Sequence, residues 1–147
     1  MTRLCYCFGF LFLLALLAGC GKNVGLKGKV TYSDDGSPVT AGTICFRKDG
    51  KIARGDIQED GSFVVGFESE ANGLPPGKYE VFFTGTDKVT TTVVGTRESM
   101  GVVQDIVDYQ YEPQIAERYK SAETSQLTFE VNASTKNYDI QVDRYGQ

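Results

Sequence analysis

Short strand-like runs separated by glycine-containing turns dominate this chain and constrain its fold more than any other feature. In Leu26–Tyr32, apolar and polar residues alternate at every second position, which is typical of a half-buried strand. Asp-Gly pairs occupy positions 35–36, 49–50 and 60–61, and this dipeptide between apolar runs indicates a tight turn or hairpin. Further strand-like runs span 43–47, 52–57, 62–67, 79–84, 126–131 and 138–144. The sequence therefore predicts an all-β domain of about seven strands.

The same alternation predicts which strand faces are buried. Phe63 and Val65 share one face of their strand, and Tyr79, Val81 and Phe83 share one face of theirs. The last two runs flank a segment, 132–137, that we expect to be a hairpin loop. Because parallel sheets need helical crossovers and no long amphipathic helix is evident, we predict a seven-stranded antiparallel Greek-key β-sandwich.

The stretch from about 86 to 125 departs from this regular spacing. Residues 89–94 have strand propensity, whereas Tyr109, Tyr111 and Tyr119 follow among charged residues. We expect a long excursion that packs on the domain through its tyrosines, with one short helical turn at 113–119. The alternative is that Tyr109, Tyr111 and Tyr119 bind a ligand, a glycan or a peptide, because aromatic side chains are enriched at recognition surfaces.

The N-terminus has the sequence pattern of an export signal. After Arg3, an apolar run of about 15 residues continues without a charge, which is shorter than the about 20 residues of a membrane-spanning helix. The run ends in Leu17-Ala18-Gly19-Cys20, which resembles the lipobox of bacterial lipoproteins. This resemblance implies that the signal peptide 1–19 is removed and that Cys20 receives the lipid, with residues 20–25 as a tether and 26–147 as one domain.

A lipidated N-terminus implies a location in the cell envelope. Acyl chains contribute about 0.8 kcal/mol per buried methylene, so a multiply acylated Cys20 would anchor the protein to a membrane almost permanently. Gly21 stands where inner-membrane lipoproteins of similar type carry an aspartate. The resemblance therefore favours the outer membrane, with the domain facing the periplasm or the cell surface.

Composition excludes several classes of function. Removal of residues 1–19 takes away one positive charge, Arg3, so the net charge changes from −4 to −5, and no basic run remains. Nucleic acid is therefore not an expected partner. The chain has no His, which removes the commonest general base and metal ligand. We predict no catalytic residue, no metal and no cofactor.

Cys45 is the only thiol left in the mature chain once Cys5 and Cys7 leave with the signal and Cys20 is lipidated. It lies between Ile44 and Phe46 in an apolar run, and a buried cysteine behaves as a small hydrophobic residue. We expect Cys45 to belong to the core, with a reactive or intermolecular thiol as the alternative.

The polar residues offer two other kinds of candidate site. Asp34, Asp35, Asp49 and Asp60 could supply oxygen ligands to calcium, but each stands beside a glycine turn, and turn chemistry explains them better. An intramolecular isopeptide bond between Lys27 or Lys29 and Asn137 would suit the strand order and would also need a buried acid beside it. Both lysines fall on the polar face of their strand, which disfavours this bond.

A set of motifs, taken in order, resembles the carboxypeptidase regulatory-like domains, which are transthyretin-like (prealbumin-like) β-sandwiches. The motifs are Gly28-Lys29-Val30, Asp35-Gly36-Ser37-Pro38-Val39, Asp60-Gly61-Ser62-Phe63 and Leu74-Pro75-Pro76-Gly77-Lys78-Tyr79. The resemblance covers about residues 26 to 84 well and implies the fold, because these motifs are turn residues. It implies no activity. A hydroxyisourate hydrolase of the same fold relies on histidines, and this chain has none.

These features together predict a lipid-anchored, non-enzymatic β-sandwich that serves as a structural or binding module of the envelope. The alternative is a carbohydrate- or peptide-recognition module that works with a larger envelope partner. In both cases the expected partners are the membrane, through the lipid, and an envelope protein or glycan.

Overall fold

A computed structural model describes residues 23–67 and 72–147. The signal peptide 1–19 and the lipidation residue Cys20 lie outside the described residues. The strands are β1 (Leu26–Tyr32), β2 (Thr43–Lys48), β3 (Lys51–Asp56), β4 (Ser62–Val65), β5 (Gly77–Thr84), β6 (Lys88–Ser99), β7 (Val102–Glu112), β8 (Leu127–Val131) and β9 (Ile140–Val142). A 3-10 helix (Glu117–Lys120) and one helical turn, α1 (Ala122–Ser125), separate β7 from β8. The prediction of an all-β chain is confirmed.

Seven of these strands form two open sheets with the core between them. One sheet has the order β4-β1-β9 and the other has the order β3-β2-β5-β8. We call these two sheets, with their connecting loops, the body. Among the described residues, the two remaining strands, β6 and β7, pair with each other and with no other strand. The described part of the chain therefore consists of a two-sheet body and a separate two-stranded ribbon.

The core of the body is built from the alternate residues that the sequence predicts. Tyr79, Val81 and Phe83 are fully buried, whereas Val64 points outward and is 37% exposed. The ring of Phe46 lies at the centre of the body and contacts four other aromatic rings, those of Phe63, Tyr79, Phe129 and Tyr138. Three of these contacts are edge-to-face, and such contacts stabilise a core beyond the area that they bury.

The hairpin between β2 and β3 forms at Asp49-Gly50, as predicted. Both residues have positive φ angles, 51° and 73°, and Lys48 pairs with Lys51 across the turn. Positive φ at both central positions is the geometry that matches the twist of two antiparallel strands. The Asp-Gly dipeptide therefore sets the register of this edge of the four-stranded sheet.

Two expectations about the C-terminal strands are wrong. Residues 132–137 do not close a hairpin, because β8 pairs with β5 in one sheet while β9 pairs with β1 in the other. The pairing of β9 with β1 is parallel, with Val30 opposite Ile140, so the body is not purely antiparallel. No helical crossover is needed, since the rest of the domain serves as the long connection between these two strands.

The excursion at 86–125 has a different structure from the one predicted. Residues 88–112 form a long hairpin of β6 and β7 that does not pack on the body through tyrosines, since Tyr109 is 54% exposed and Tyr111 is 64% exposed. Only the return segment packs as expected, through buried Ile115 and Tyr119. The expected helical turn is present, shifted to 117–125.

Candidate functional site

The hairpin of residues 88–112, which we call the arm, is the most unusual surface of the described structure. Its strands pair from Lys88 opposite Glu112 to Ser99 opposite Val102. Met100 and Gly101 make the turn with φ angles of 53° and 76°, the geometry of a tight hairpin turn. At a rise of about 3.4 Å per residue, the arm extends for roughly 35 Å.

An irregularity divides the arm into two halves. Val93 pairs with Val107 and Gly95 pairs with Ile106, so Val94 is an extra residue on β6. Such a bulge increases the local twist and bends the ribbon. The half next to the body and the half next to the tip therefore differ in direction as well as in composition.

The half next to the body is amphipathic. Cross-strand pairs on one side are Val89 with Tyr111, Thr91 with Tyr109, and Val93 with Val107, and we call this side the apolar face. Pairs on the other side are Lys88 with Glu112, Thr90 with Gln110, and Thr92 with Asp108. A ribbon with one apolar and one polar side is the pattern of a strand pair that covers a core.

The apolar face of the arm is largely exposed in the described structure. Val89 is 50% exposed and Val93 is 56% exposed, and the two tyrosines beside them are exposed to a similar degree. Since an aromatic side chain buries about 150–250 Å² when fully covered, the two tyrosines alone present roughly 200 Å² to solvent. Exposed patches of this kind mark interaction surfaces.

Acidic residues bound the apolar face towards the tip. Asp105 and Glu98 lie on the same side of the ribbon, because β7 alternates from Val107 through Asp105 to Val103, and Val103 pairs with Glu98. The tip itself carries Met100, which is fully exposed. The arm thus presents an uncharged stripe near the body and a mixed acidic and apolar end.

The arm joins the body at the end opposite the N-terminus. Val24 pairs with Leu74 just before β5 begins, whereas the arm follows the other end of β5, where Thr84 pairs with Thr43. Because β1 has seven residues, about 20 Å of strand separates these two ends. The N-terminal tether and the arm therefore leave the body from opposite ends.

The junction between arm and body contains an ion pair and a small cavity. The Lys120 ammonium donates to Asp87 at 2.8 Å, which ties the 3-10 helix to the start of the arm. Beside it, a cavity of about 210 Å³ is lined in part by Tyr32, Gln114 and the buried residue Thr86. The hydroxyl of Thr86 has no hydrogen-bond partner among the described residues. This cavity is too small for a typical ligand pocket of about 300–1,000 Å³.

The three tyrosines predicted as ligand-binding residues do not come together. Tyr109 and Tyr111 share the apolar face, with Thr91 and Val89 opposite them. Tyr119 is only 7% exposed, and its hydroxyl lies 3.2 Å from Asp143 and accepts from Arg118. Tyr119 is therefore a core residue, and the candidate surface contains two of the three.

Sequence reasoning missed four members of the apolar face: Val89, Thr91, Val93 and Val107. Tyr109 and Tyr111 alternate with Asp108, Gln110 and Glu112 at period two, and residues 89–94 are mostly β-branched. Both signals together indicate a strand pair around the Met100-Gly101 turn. The pairing itself could have been predicted from them, because Met-Gly stands midway between the two runs.

The aspartates that could supply calcium ligands lie in turns, where other side chains already bind them. Asp34 and Asp35 each accept from the Arg144 guanidinium at 2.8 Å. The pKa of Asp35 is lowered to about 2, first by hydrogen bonds from the Ser37 side chain and backbone and then by Arg144. Among residues 23–67 and 72–147, no three His, Cys, Asp or Glu side chains gather in a way that could hold a metal ion.

The lysine and asparagine of the isopeptide hypothesis are neighbours in the fold. Lys27 forms an isolated parallel bridge with Asn137, but both residues are exposed. The buried polar or charged residues of the described chain are Thr86 and Ser125, so no buried acid stands beside this pair. The chemistry of the bond requires such an acid, and the site therefore lacks its catalyst.

Cys45 lies in the interior, as predicted. It is 1% exposed, and its sulfur is 3.8 Å from the hydroxyl of Thr84. Burial raises the pKa of the Cys45 thiol, which disfavours the reactive thiolate. Cys45 therefore serves packing.

A shallow groove of about 770 Å³ crosses the outer surface of the three-stranded sheet. Lys29, Asn137 and Asp139 are exposed residues that contribute to its lining. Ligand sites usually combine an apolar cavity with a few fixed polar groups. The charged residues here are solvated, so the groove is a weaker candidate than the arm.

The described part of the chain contains no helix that is long and apolar enough to span a membrane.

Comparisons with known proteins do not assign this chain to a family. No family model and no curated protein matches it. Among solved structures, a 9R-lipoxygenase from Cyanothece is similar at 15% identity with a TM-score of 0.32. The match covers 82% of this chain and 16% of the lipoxygenase chain, so this chain spans a small part of that enzyme's length. A TM-score of this size does not establish a shared fold.

Proposed function

We propose that this chain is a lipid-anchored, non-enzymatic binding module of the bacterial cell envelope, and that the arm is its binding element. The uncovered apolar face of the arm carries the proposal, since an amphipathic ribbon is stable when its apolar side packs on something. The body does not supply that cover, because Val89, Val93, Tyr109 and Tyr111 are all at least half exposed. The cover therefore comes from a partner.

The lack of histidine and the hydrogen bonding of several carboxylates support a non-enzymatic role. The chain has no His, and of the two buried polar residues in its described part, Ser125 is engaged by donating to the Val81 carbonyl at 2.5 Å. Asp35, Asp60 and Glu123 have lowered pKa values because hydrogen-bond donors hold their charged forms. A general acid or base needs a pKa nearer to the working pH.

We further propose that Cys20 carries the lipid, in the outer membrane. Val24 is the fourth residue after Cys20, so the start of the body lies within about 14 Å of the anchored residue. The arm leaves the opposite end of the body from Val24. A body held close to the membrane at one end thus carries its binding element at the end farther from the tether.

For the body, we propose the transthyretin-like Greek-key sandwich that the turn motifs suggest. Its seven strands in two sheets, and the crossings between sheets from β3 to β4 and from β8 to β9, support this assignment. The Asp-Gly turn residues Gly36, Gly50 and Gly61 all have positive φ, which is the backbone role that the motifs require.

A carbohydrate- or peptide-recognition module is the second candidate, favoured by the shared exposure of Tyr109 and Tyr111. Small-ligand and sugar sites are usually concave, because a cleft covers most of the ligand surface. The arm is a ribbon exposed on both sides. A protein surface therefore suits it better than a small ligand.

The arm proposal is tested by comparing two triple variants of the full chain in native membranes. The first replaces Val93, Tyr109 and Tyr111 by Thr, which keeps strand propensity and removes the apolar surface. The matched control replaces Thr90, Thr92 and Gln110, on the polar side, by Ser. We expect chemical cross-linking to neighbouring proteins to be lost in the first variant and kept in the second.

Equal cross-linking of both variants would contradict the arm as the binding element. A specific turnover by the purified protein, abolished by a single substitution, would contradict the non-enzymatic role. The anchor is tested by replacing Cys20 with Ser. We expect this variant to lose the mass of the lipid and to be released from the membrane.

A further inference from the structure

We propose that the arm binds its partner through the outer edge of β7, to which an extended segment of the partner protein adds as a third strand. In this segment, apolar and cationic side chains alternate. The inference rests on the proposed function, because it names the kind of partner that the arm binds.

Both outer edges of the arm are open in the described structure, since β6 and β7 pair with each other and with no other described strand. The outward N–H and C=O groups of such an edge are a template for another strand. The edge of β7 is long, because all 11 residues of Val102–Glu112 lie in the ladder with β6. Strand addition to an open edge is a recurrent mode of peptide recognition, in which main-chain hydrogen bonds provide the affinity.

The two edges of the arm differ in regularity. β6 contains the extra residue Val94, and a bulge of this kind bends and twists the strand that carries it. Bulges and lysines hinder the addition of a further strand, and β6 also contains Lys88. β7, whose residues are all described, has no bulge, no lysine and no proline. An incoming strand therefore fits β7 better than β6.

The charges of β7 determine which segment suits its edge. β7 carries three carboxylates, those of Asp105, Asp108 and Glu112, and no Lys or Arg, so its net charge is −3. Cationic side chains on an added strand would stand beside Asp108 and Glu112, and opposite charges on neighbouring strands attract. The β7 strand of a second copy would instead bring the same three carboxylates to this edge, and like charges repel. The edge therefore favours a cationic segment over a copy of itself.

The alternation of β7 determines the order of residues in the segment. Val107, Tyr109 and Tyr111 lie on the apolar face, whereas Asp108 and Glu112 lie on the other side of the ribbon. An added strand alternates in the same way, so every second residue stands beside the apolar face and the others stand beside the carboxylates. Apolar side chains at the first set of positions would contact the tyrosine rings, which are within reach of a neighbouring strand. The matching segment is therefore an apolar–cationic repeat of period two.

A third strand would also stabilise the arm. An isolated two-stranded hairpin is marginally stable at best, and three or more strands with an apolar face are needed for independent stability. The arm supplies two strands and an apolar face. The partner segment supplies the strand that completes a three-stranded sheet.

A synthetic peptide, acetyl-Lys-Val-Lys-Val-Lys-Val-Lys-amide, provides the probe, because its seven residues match the length of 106–112. Its binding to the purified full chain in detergent micelles would be measured by calorimetry. The control peptide replaces every Lys by Glu. We expect the lysine peptide to bind at least about tenfold more tightly than the control, which places like charges beside Asp108 and Glu112.

Two further peptides test main-chain pairing. One is N-methylated at two of its lysines, and the other is N-methylated at two of its valines. The N–H groups of alternate residues in an edge strand point to the neighbouring strand, so methyl groups block pairing on one set only. We expect one of these peptides to lose binding and the other to keep it. Equal binding or equal loss would mean that side chains alone hold the peptide, which overturns the added strand.

Matched variants of the full chain locate the peptide on the arm. Asp108 lies on β7 opposite Thr92, and Glu98 lies on β6 opposite Val103. Both carboxylates are exposed, so their conversion to amides leaves packing unchanged. D108N should weaken binding of the lysine peptide about threefold, whereas E98Q should not change it. E112Q is the second variant on β7, and equal affinities for all three variants would overturn the assignment to this edge.

These outcomes separate the inference from the proposed function. If the lysine peptide does not bind, while the variant of Val93, Tyr109 and Tyr111 still loses its cross-links in native membranes, the added strand is overturned and the arm remains the binding element. If the peptide binds as expected while the triple variant and its control cross-link equally, the edge of β7 is a binding site and the proposed role of the arm in the envelope fails.

Discussion

The body and the arm contain similar aromatic and β-branched side chains in the same alternating pattern, but these side chains are buried in the body and exposed in the arm. In β5, the alternate residues Tyr79, Val81 and Phe83 are all fully buried. In the arm, Tyr109 and Tyr111 alternate in the same way and remain more than half exposed. Period-two alternation therefore encodes a strand with an apolar side, and it does not encode which surface will cover that side.

The largest expected difference between body and arm is in local stability. Amides of core strands exchange through openings that approach the full stability of about 5–15 kcal/mol, whereas an isolated hairpin is marginally stable at best. We expect paired amides of β6 and β7 in the dilute purified protein to exchange orders of magnitude faster than those of β2 and β5. Hydrogen exchange followed by NMR measures this, and equal protection would mean that the arm packs on the body.

The next contrast is between one aromatic residue in each region. Phe46 is fully buried among four rings, so Phe46→Ala should lower the free energy of unfolding by about 3–5 kcal/mol. Tyr109→Ala removes a ring that is 54% exposed and should change stability by no more than about 1 kcal/mol. Urea unfolding of the two variants measures both values. A large loss for Tyr109→Ala would erase the distinction between body and arm.

Two glycines near the start of the body differ in how closely other backbone approaches them. A Cβ on Gly28 would lie 1.9 Å from the carbonyl oxygen of Tyr138, where the last segment of the chain packs on β1. Gly28→Ala should therefore destabilise the body by about 1–3 kcal/mol, because backbone must move. Gly25→Ala is the control, since a Cβ there meets nothing within 4 Å. Similar melting temperatures for the two variants would argue against this close approach.

The sequence predicts the local features of the body well and its pairing less well. The Asp49-Gly50 turn and the buried face of β5 follow from turn chemistry and alternation, which act over a few residues. The separation of β8 and β9 into different sheets was not predictable, because a loop at 132–137 looks the same whether it closes a hairpin or crosses the core. The parallel pairing of β9 with β1 is a consequence of that crossing.

Long-range contacts also decide which of the three predicted tyrosines belong to the candidate site. The sequence predicts Tyr109 and Tyr111 as possible ligand contacts because they are aromatic, and it predicts Tyr119 for the same reason. Burial of Tyr119 depends on its contacts with Arg118 and Asp143, and Asp143 comes from the far end of the chain. Residue type alone does not distinguish a ring that fills the body from one that faces solvent.

The smallest expected effect concerns acid stability at the end of the body that carries the arm. The pKa of Asp35 is lowered from 3.8 to about 2, so the folded state binds this proton less tightly than the unfolded state. Its contribution is therefore complete above about pH 4 and is lost as the pH falls through 2. Ser37→Ala removes the hydroxyl hydrogen bond that lowers this pKa most and should raise the titration midpoint of Asp35 towards 3.8 in an NMR titration. An unchanged midpoint would mean that the Ser37 backbone N–H and Arg144 set this pKa without the hydroxyl.

The most direct test of the central claim, that the apolar face of the arm is covered in the envelope, is covalent labelling of tyrosines. Tyr109 and Tyr145 are equally exposed at 54%, and Tyr145 lies near the C-terminus of the body, so it is an internal control. Labelling would be compared between native membranes and the dilute purified domain. We predict that Tyr109 and Tyr111 are protected in membranes while Tyr145 is labelled equally in both. Equal labelling of all three tyrosines in both samples would contradict the account.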